Sequence, residues 1–112
     1  MSRRRELKKE KPEIDVECEL TGHFARALRG REAGFLFVIV GGEKTHNRVF
    51  IADGRRRRLS EPKLKSKSHI EIVGFSERAR TLLLRREFTD GDIRRAIFAA
   101  QQPPKGESDA EG

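Results

Sequence analysis

The sequence is poor in the residues that staple, stack or span. One cysteine, Cys18, stands among 112 residues, and tryptophan and tyrosine are absent. A single thiol excludes an intrachain disulfide and gives no sign of an oxidising compartment, so the expected setting is cytoplasmic. The longest apolar run, Phe35 to Val40, is far short of the roughly 20 residues a membrane-crossing helix needs. The N-terminus is basic like the start of a secretory signal. However, Glu6, Lys8, Lys9, Glu10, Lys11 and Glu13 occupy the place of the apolar stretch such a signal requires, so no targeting segment is read. Catalytic signatures are missing too: no Ser-His-Asp arrangement and no phosphate-cradling P-loop is recognisable. His23, His46 and His69 are too widely spaced from one another and from Cys18 to read as a metal site. Asp53, Asp90 and Asp92 are accounted for by a turn and a helix start. The expectation is no enzyme, no cofactor, no metal and no small-molecule substrate.

Positive charge is what the chain has in excess: 25 Lys and Arg against 18 Asp and Glu, a net +7, with an isoelectric point near 10.2. Such an excess favours nucleic acid over acidic small substrates. A membrane surface is the weaker candidate, because no basic stretch carries the interleaved apolar face that would insert.

The chain divides into four parts. Residues 1–17 read as a flexible basic arm, with Arg3 to Arg5 either a solvated tail or a source of non-specific attraction to RNA. Residues 18–75 read as a small β domain. Glu19 to Gly30 suits a first strand that bends near Gly22, and Arg29 to Gly34 a tight polar loop. Phe35 to Val40 is a strand apolar on both faces, so something must cover each side. Gly41-Gly42 through Asn47 reads as a turn, Val49 to Ala52 as a third strand and Ile70 to Val73 as a later one. Several short strands with close turns argue for a small barrel. In residues 76–102 the period changes. Ser76 can cap a short helix reaching Leu82 to Leu84. Thr89 and Asp92 have capping-box spacing and open a helix with Ile93, Ala96, Ile97 and Ala100 on one face, ended by Pro103 and Pro104. This helix is expected to cover the doubly apolar strand, on the outside of the barrel or across an open end. Residues 103–112 read as a disordered acidic tail.

The densest charge, Arg55 to Arg58, follows the turn-like Ala52-Asp53-Gly54 inside the folded part. In a central strand, alternate guanidiniums would enter the core, where unpaired charge costs several kcal/mol. The run is therefore expected on a rim or bulged edge, with Leu59 the first residue to re-enter the core. Arginine suits such a rim because its planar fork binds phosphate bidentately. The alternative is a charged edge that only discourages strand aggregation. If about five phosphates were neutralised, the log-log salt slope of binding would be about −3 to −5. Of the seven phenylalanines, Phe37, Phe50 and Phe98 are expected in the core. Phe35 could sit instead at the mouth of the polar loop. Without tyrosine or tryptophan, a stacking platform of the RNA-recognition-motif type is disfavoured.

Gly22-His23-Phe24-Ala25-Arg26-Ala27-Leu28-Arg29-Gly30-Arg31-Glu32-Ala33-Gly34, followed by an apolar strand, resembles the KOW motif, with Gly34 at its characteristic glycine. The resemblance continues in Ile51-Ala52-Asp53-Gly54-Arg55-Arg56-Arg57-Arg58-Leu59 and in Pro62-Lys63-Leu64-Lys65 up to His69-Ile70. This broader pattern resembles the bacterial KOW-type RNA-binding proteins related to large-subunit ribosomal proteins of the archaeal and eukaryotic 14e type. It spans roughly Leu20 to Phe75, and the Thr89 to Ala100 helix is similar to a C-terminal helix of the bacterial group. Relatives commonly carry basic residues beside the motif glycine, where this chain has Ala33 and Phe35, so Arg29 and Arg31 must supply more of the charge. The resemblance implies an SH3-like (KOW) barrel, mainly β, with a C-terminal helical extension packed on it. It also implies binding to structured ribosomal RNA or ribosomal subunits by a protein that is monomeric outside the complex. The candidate RNA contacts are Arg26, Arg29, Arg31, Gly34, Arg55, Arg56, Arg57, Arg58, Lys63, Lys65 and Lys67. A second reading is a protein-interaction module, since KOW domains of NusG-type elongation factors also bind proteins. It predicts an exposed apolar patch near Phe35.

Overall fold

A computed structural model describes residues 13–44 and 47–102. The arm through residue 12, His46 and the acidic tail with Pro103 and Pro104 lie outside the described residues. In chain order the elements are β1 (His23–Ala27), β2 (Leu36–Gly42), β3 (Arg48–Ala52), β4 (Lys63–Ser66), a single 3-10 turn (Lys67–His69), β5 (Ile70–Phe75), α1 (Glu77–Leu84) and α2 (Asp90–Ala100). The strands form one antiparallel sheet in the order β4-β3-β2-β1-β5. Its edges, β4 and β5, do not pair with each other, so the sheet is open and no closed barrel forms.

The doubly apolar strand organises the interior. Alternation along β2 sends Leu36, Val38 and Val40 to one side, where they meet Phe24, Phe50 and Ala52 and are covered by Ala79 and Leu83 of α1, Phe88, and Ile93 of α2. Phe37 and Ile39 point the other way, onto Ala25, Ala27, Val49, Ile51 and Ile70, with Cys18 and Leu20 packed at the margin. No helical residue belongs to this second cluster, yet Phe37, Ile39, Val49 and Ile51 are all fully buried. The strands must therefore curl around their own side chains. Two register shifts, between Ile39 and Gly41 on β2 and between Phe24 and Ala25 on β1, supply local bends of the kind that increase strand curvature. Burying each large side chain of these clusters stabilises the fold by about 1.5–3 kcal/mol.

Both helix caps expected from the sequence are present. The Ser76 side chain accepts from the Ala79 N–H, and Thr89 and Asp92 form a reciprocal capping box. Hydrogen bonds from Thr89 and Arg95 hold the Asp92 carboxyl below the usual aspartate range.

Several expectations are corrected. Gly41-Gly42 is not a turn but the end of β2, opposite Phe50 and Val49. A Cβ on Gly41 would run into Ile14, and one on Gly42 would sit 2.9 Å from the Cys18 sulfur. The glycines thus admit a crossing segment in which Asp15 and Gly42 exchange backbone hydrogen bonds of 2.8 and 3.0 Å. That segment belongs to the stretch assigned to the arm, so the chain is held from before residue 18. The first strand is shorter than Glu19 to Gly30: Gly22 takes a φ of +93°, with its Cα against Arg80, and pairing starts at His23. Lys63–Ser66, read only as a basic segment, is a strand. Phe37 and Phe50 are buried, but Phe98 is 66% exposed. At 3.6 residues per turn it lies about 140° round α2 from Ile93, off the face on which Ala96 and Ile97 pack.

Candidate nucleic-acid interface

The β1–β2 loop is folded back by its own backbone. The Gly34 N–H donates to Ala27 O at 2.7 Å and the Ala27 N–H to Phe35 O at 3.1 Å, closing a hairpin around residues 28–34. Gly34 has a φ of +91°, a conformation that side-chain-bearing residues rarely adopt, and nothing lies within 4 Å of where its Cβ would be. The fold of this loop turns Glu32 inward, leaving it 6% exposed.

Residues 53–58 are shaped just as firmly. Asp53 Oδ1 accepts from the N–H groups of Arg55 and Arg57, both at 2.9 Å, which is the local turn that aspartate favours. Gly54, at φ +79°, lies so close to α2 that a Cβ would stand 2.6 Å from Asp90 O. Its carbonyl accepts from Arg94 Nη1 at 2.6 Å, and the Leu59 N–H donates to Asp90 Oδ1 at 2.7 Å. The arginine loop is thus fastened to α2 at both ends, and Leu59 packs against the first cluster beyond it.

Glu32 joins the two loops. Its Oε2 accepts from Arg57 Nε at 2.9 Å, and its Oε1 lies 3.7 Å from Lys63 Nζ on β4. Lys65, on the same face of β4 as Lys63, donates from Nζ to Arg29 O at 3.3 Å. Burial opposes the charge on Glu32, but the hydrogen bond from Arg57 and the charges of Arg57, Lys63 and Lys65 outweigh it and hold the carboxyl below the ordinary glutamate range. The result is a cleft of about 570 Å³ between Gly30, Arg31, Arg56, Arg57, Lys63 and Lys65, in which Glu32 is the one carboxylate. At its lip the Arg56 guanidinium sits 4.2 Å above the ring of Phe35, which is 45% exposed.

The candidate residues therefore separate. Arg31, Arg56, Arg57, Lys63 and Lys65 converge on the cleft, Arg29 contributes its carbonyl there, and Arg26 reaches the rim at Gly34 O, 3.5 Å away. Arg55 faces α2 beside Arg94 and Arg95 instead. Arg58 is exposed outside the cleft lining, and Lys67 lies in the 3-10 turn past the far end of β4. Glu32 is not among the sequence-derived candidates, although it is the one carboxylate in a basic loop. Nor are Arg94 and Arg95, an adjacent basic pair that shares a helix face with Gly91 by its spacing.

Among the described residues no helix is long and apolar enough to cross a membrane, and no group of three or more His, Cys, Asp or Glu could hold a metal ion. His23 is occupied otherwise: its ring packs against Phe75 at a centroid distance of 4.7 Å and a tilt of 48°, and its Nδ1 lies 3.0 Å from Leu20 O. No protein-family model matches the chain, and a search of curated proteins finds no match.

Proposed function

We propose that this chain is a non-catalytic RNA-binding protein of the cytoplasm that grips the phosphates of structured ribosomal RNA, alone or in a ribosomal subunit, with the cleft between its β1–β2 and arginine loops. The observation that carries the reading is the convergence of Arg31, Arg56, Arg57, Lys63 and Lys65, from three separate segments, around one buried carboxylate. Glu32 offsets part of the inner positive charge and fixes the direction of Arg57 and Lys63. Arg31 and Arg56 remain exposed, and a guanidinium fork recognises phosphate without further arrangement. An SH3-like frame is supported by the strand order β4-β3-β2-β1-β5, by the 3-10 turn between β4 and β5, and by a cluster that the curled sheet buries without a helix. In this reading it is a barrel left open between its edge strands.

The test is co-sedimentation with ribosomal subunits, and fluorescence anisotropy with fragments of ribosomal RNA, across a salt series. Binding should weaken with salt at a log-log slope of about −3 to −5. The double variant Arg31→Ala/Arg56→Ala, which removes two exposed side chains without touching the Glu32 bridges, should reduce the magnitude of that slope by about 1.4–1.8. Binding indifferent to salt, or an unchanged slope in the variant, refutes the electrostatic mechanism.

A protein-interaction module is the second reading, and the edge strand β5 favours it: Ile72, Val73 and Phe75 are 41–48% exposed beside a strand edge that pairs with no other strand among the described residues. A pull-down with and without nuclease separates the two. Partners lost after RNA digestion support the cleft, and partners retained support the edge.

A further inference from the structure

Phe98 has the highest exposure of the large apolar side chains among the described residues. Its surroundings give that exposure a chemical character. Gly91, Arg94, Arg95 and Phe98 recur at the spacing of one helix face. Together with Arg55 from the arginine loop they line a hollow of about 440 Å³. Arg94 is fixed by its bond to Gly54 O, and Arg95 by a 2.7 Å bond from Nη2 to Asp92 Oδ1. Their other terminal nitrogens, Arg94 Nη2 and Arg95 Nη1, come within 3.7 and 3.5 Å of the position a Cβ on Gly91 would take. Two guanidiniums are thus gathered over a residue with no side chain, next to a bare aromatic ring.

The geometry points to a second contact for the same RNA: an unpaired nucleotide whose base stacks on Phe98 while its flanking phosphates meet Arg55, Arg94 and Arg95. An exposed aromatic face is what a nucleobase uses, and it is open to any base because every base has a π-face. The base must be unpaired, since a base inside an A-form duplex has no free face to offer. The arginines decide the class of occupant. An apolar peptide would strip water from three guanidiniums, of which Arg95 has a carboxylate partner in Asp92 and Arg94 only the Gly54 carbonyl, whereas a polyanion satisfies them. Arg55 and Arg56 are chain neighbours, one facing this hollow and the other the cleft, so a single backbone crossing the arginine loop reaches both. The inference rests on the cleft being an RNA interface.

Fluorescence anisotropy with two RNA probes tests it: a blunt hairpin, and the same hairpin carrying one bulged, unpaired adenosine. Alanine substitution of an aromatic side chain on which a base stacks costs about 1–3 kcal/mol, or about 5- to 150-fold in Kd. Phe98→Ala should therefore lose about that much affinity for the bulged hairpin, and less than about twofold for the blunt one. Phe98→Leu, which keeps apolar bulk without a π-face, should behave like Phe98→Ala, and Phe98→Trp should restore or exceed wild-type binding. If wild-type protein binds both probes and Phe98→Ala changes neither, or weakens both equally, the stacking site is overturned and the cleft stands. If wild-type protein binds neither probe, both are overturned. Sedimentation showing a wild-type dimer that Phe98→Ala dissolves would overturn it in favour of a second copy of this chain.

Discussion

Replacing Glu32 by glutamine removes one negative charge and almost no volume, so it isolates the carboxylate as the join between two loops and β4. A fully buried ion pair broken on one side costs about 3–5 kcal/mol, and an exposed pair at most about 1 kcal/mol. Glu32 keeps 8% of its side chain exposed, but Arg57 and Lys63 keep 38% and 34% and can rehydrate once released. The expected cost lies near the lower limit, at about 1–2 kcal/mol. In a domain of this size that lowers the melting temperature by about 5–10 °C at pH 7. Acidity supplies the sharper test. The folded carboxyl titrates below its unfolded value of about 4.3, so its contribution is complete above that value and is lost as pH falls through the folded one. Circular-dichroism melts of the wild type and Glu32→Gln, paired at each pH, should show a gap that narrows as pH falls from about 6 towards 3. Other carboxylates titrate in both proteins and cancel. A gap below about 2 °C at pH 7, or one that stays constant or widens in acid, refutes the view that a charged Glu32 holds the cleft together.

Gly54→Ala should lower stability by about 2 kcal/mol or more, because the position has a positive φ and its Cβ would meet Asp90 O; an unchanged urea midpoint would mean that the arginine loop is not pinned to α2. Ile93→Ala, at a fully buried position of α2, should cost about 2–5 kcal/mol with an unchanged m-value. Thr89→Ala removes the hydroxyl half of the capping box and should cost about 0.5–2 kcal/mol, read as a lower denaturation midpoint.

The parts of this fold that were legible in the sequence are those fixed by local chemistry. Apolar side chains at every position from Phe35 to Val40 required cover on both faces, and the structure supplies helices on one and a curled sheet on the other. Ser76 and Thr89 announced their helices through side chains that can satisfy only nearby N–H groups. What stayed hidden depended on distant partners. Strand β4 offers one apolar residue, Leu64, between two lysines, so nothing local distinguishes it from a basic loop. Gly41-Gly42 looks like a turn until the segment around Ile14 to Cys18 crosses it. Phe98 is apolar in composition and solvent-facing by helical phase. Glu32 gains its role only when the loop folds back and brings it to Arg57, 25 residues further along.

The same distinction bears on whether the basic surface is an interface or a guarded sheet edge. An edge that needs only to repel other strands requires charge, and any scatter of lysines would serve. The lysines of β4 are not scattered. Lys63 and Lys65 occupy one face of the strand, turned towards the β1–β2 loop, where one approaches Glu32 and the other bonds Arg29 O. Gathering these cations with Arg31, Arg56 and Arg57 raises their mutual repulsion, which edge protection alone would never require, and a single carboxylate offsets only part of it. A bound polyanion, as proposed, would relieve the remainder. The proposed phosphate partner therefore accounts for the convergence, which edge protection leaves unexplained.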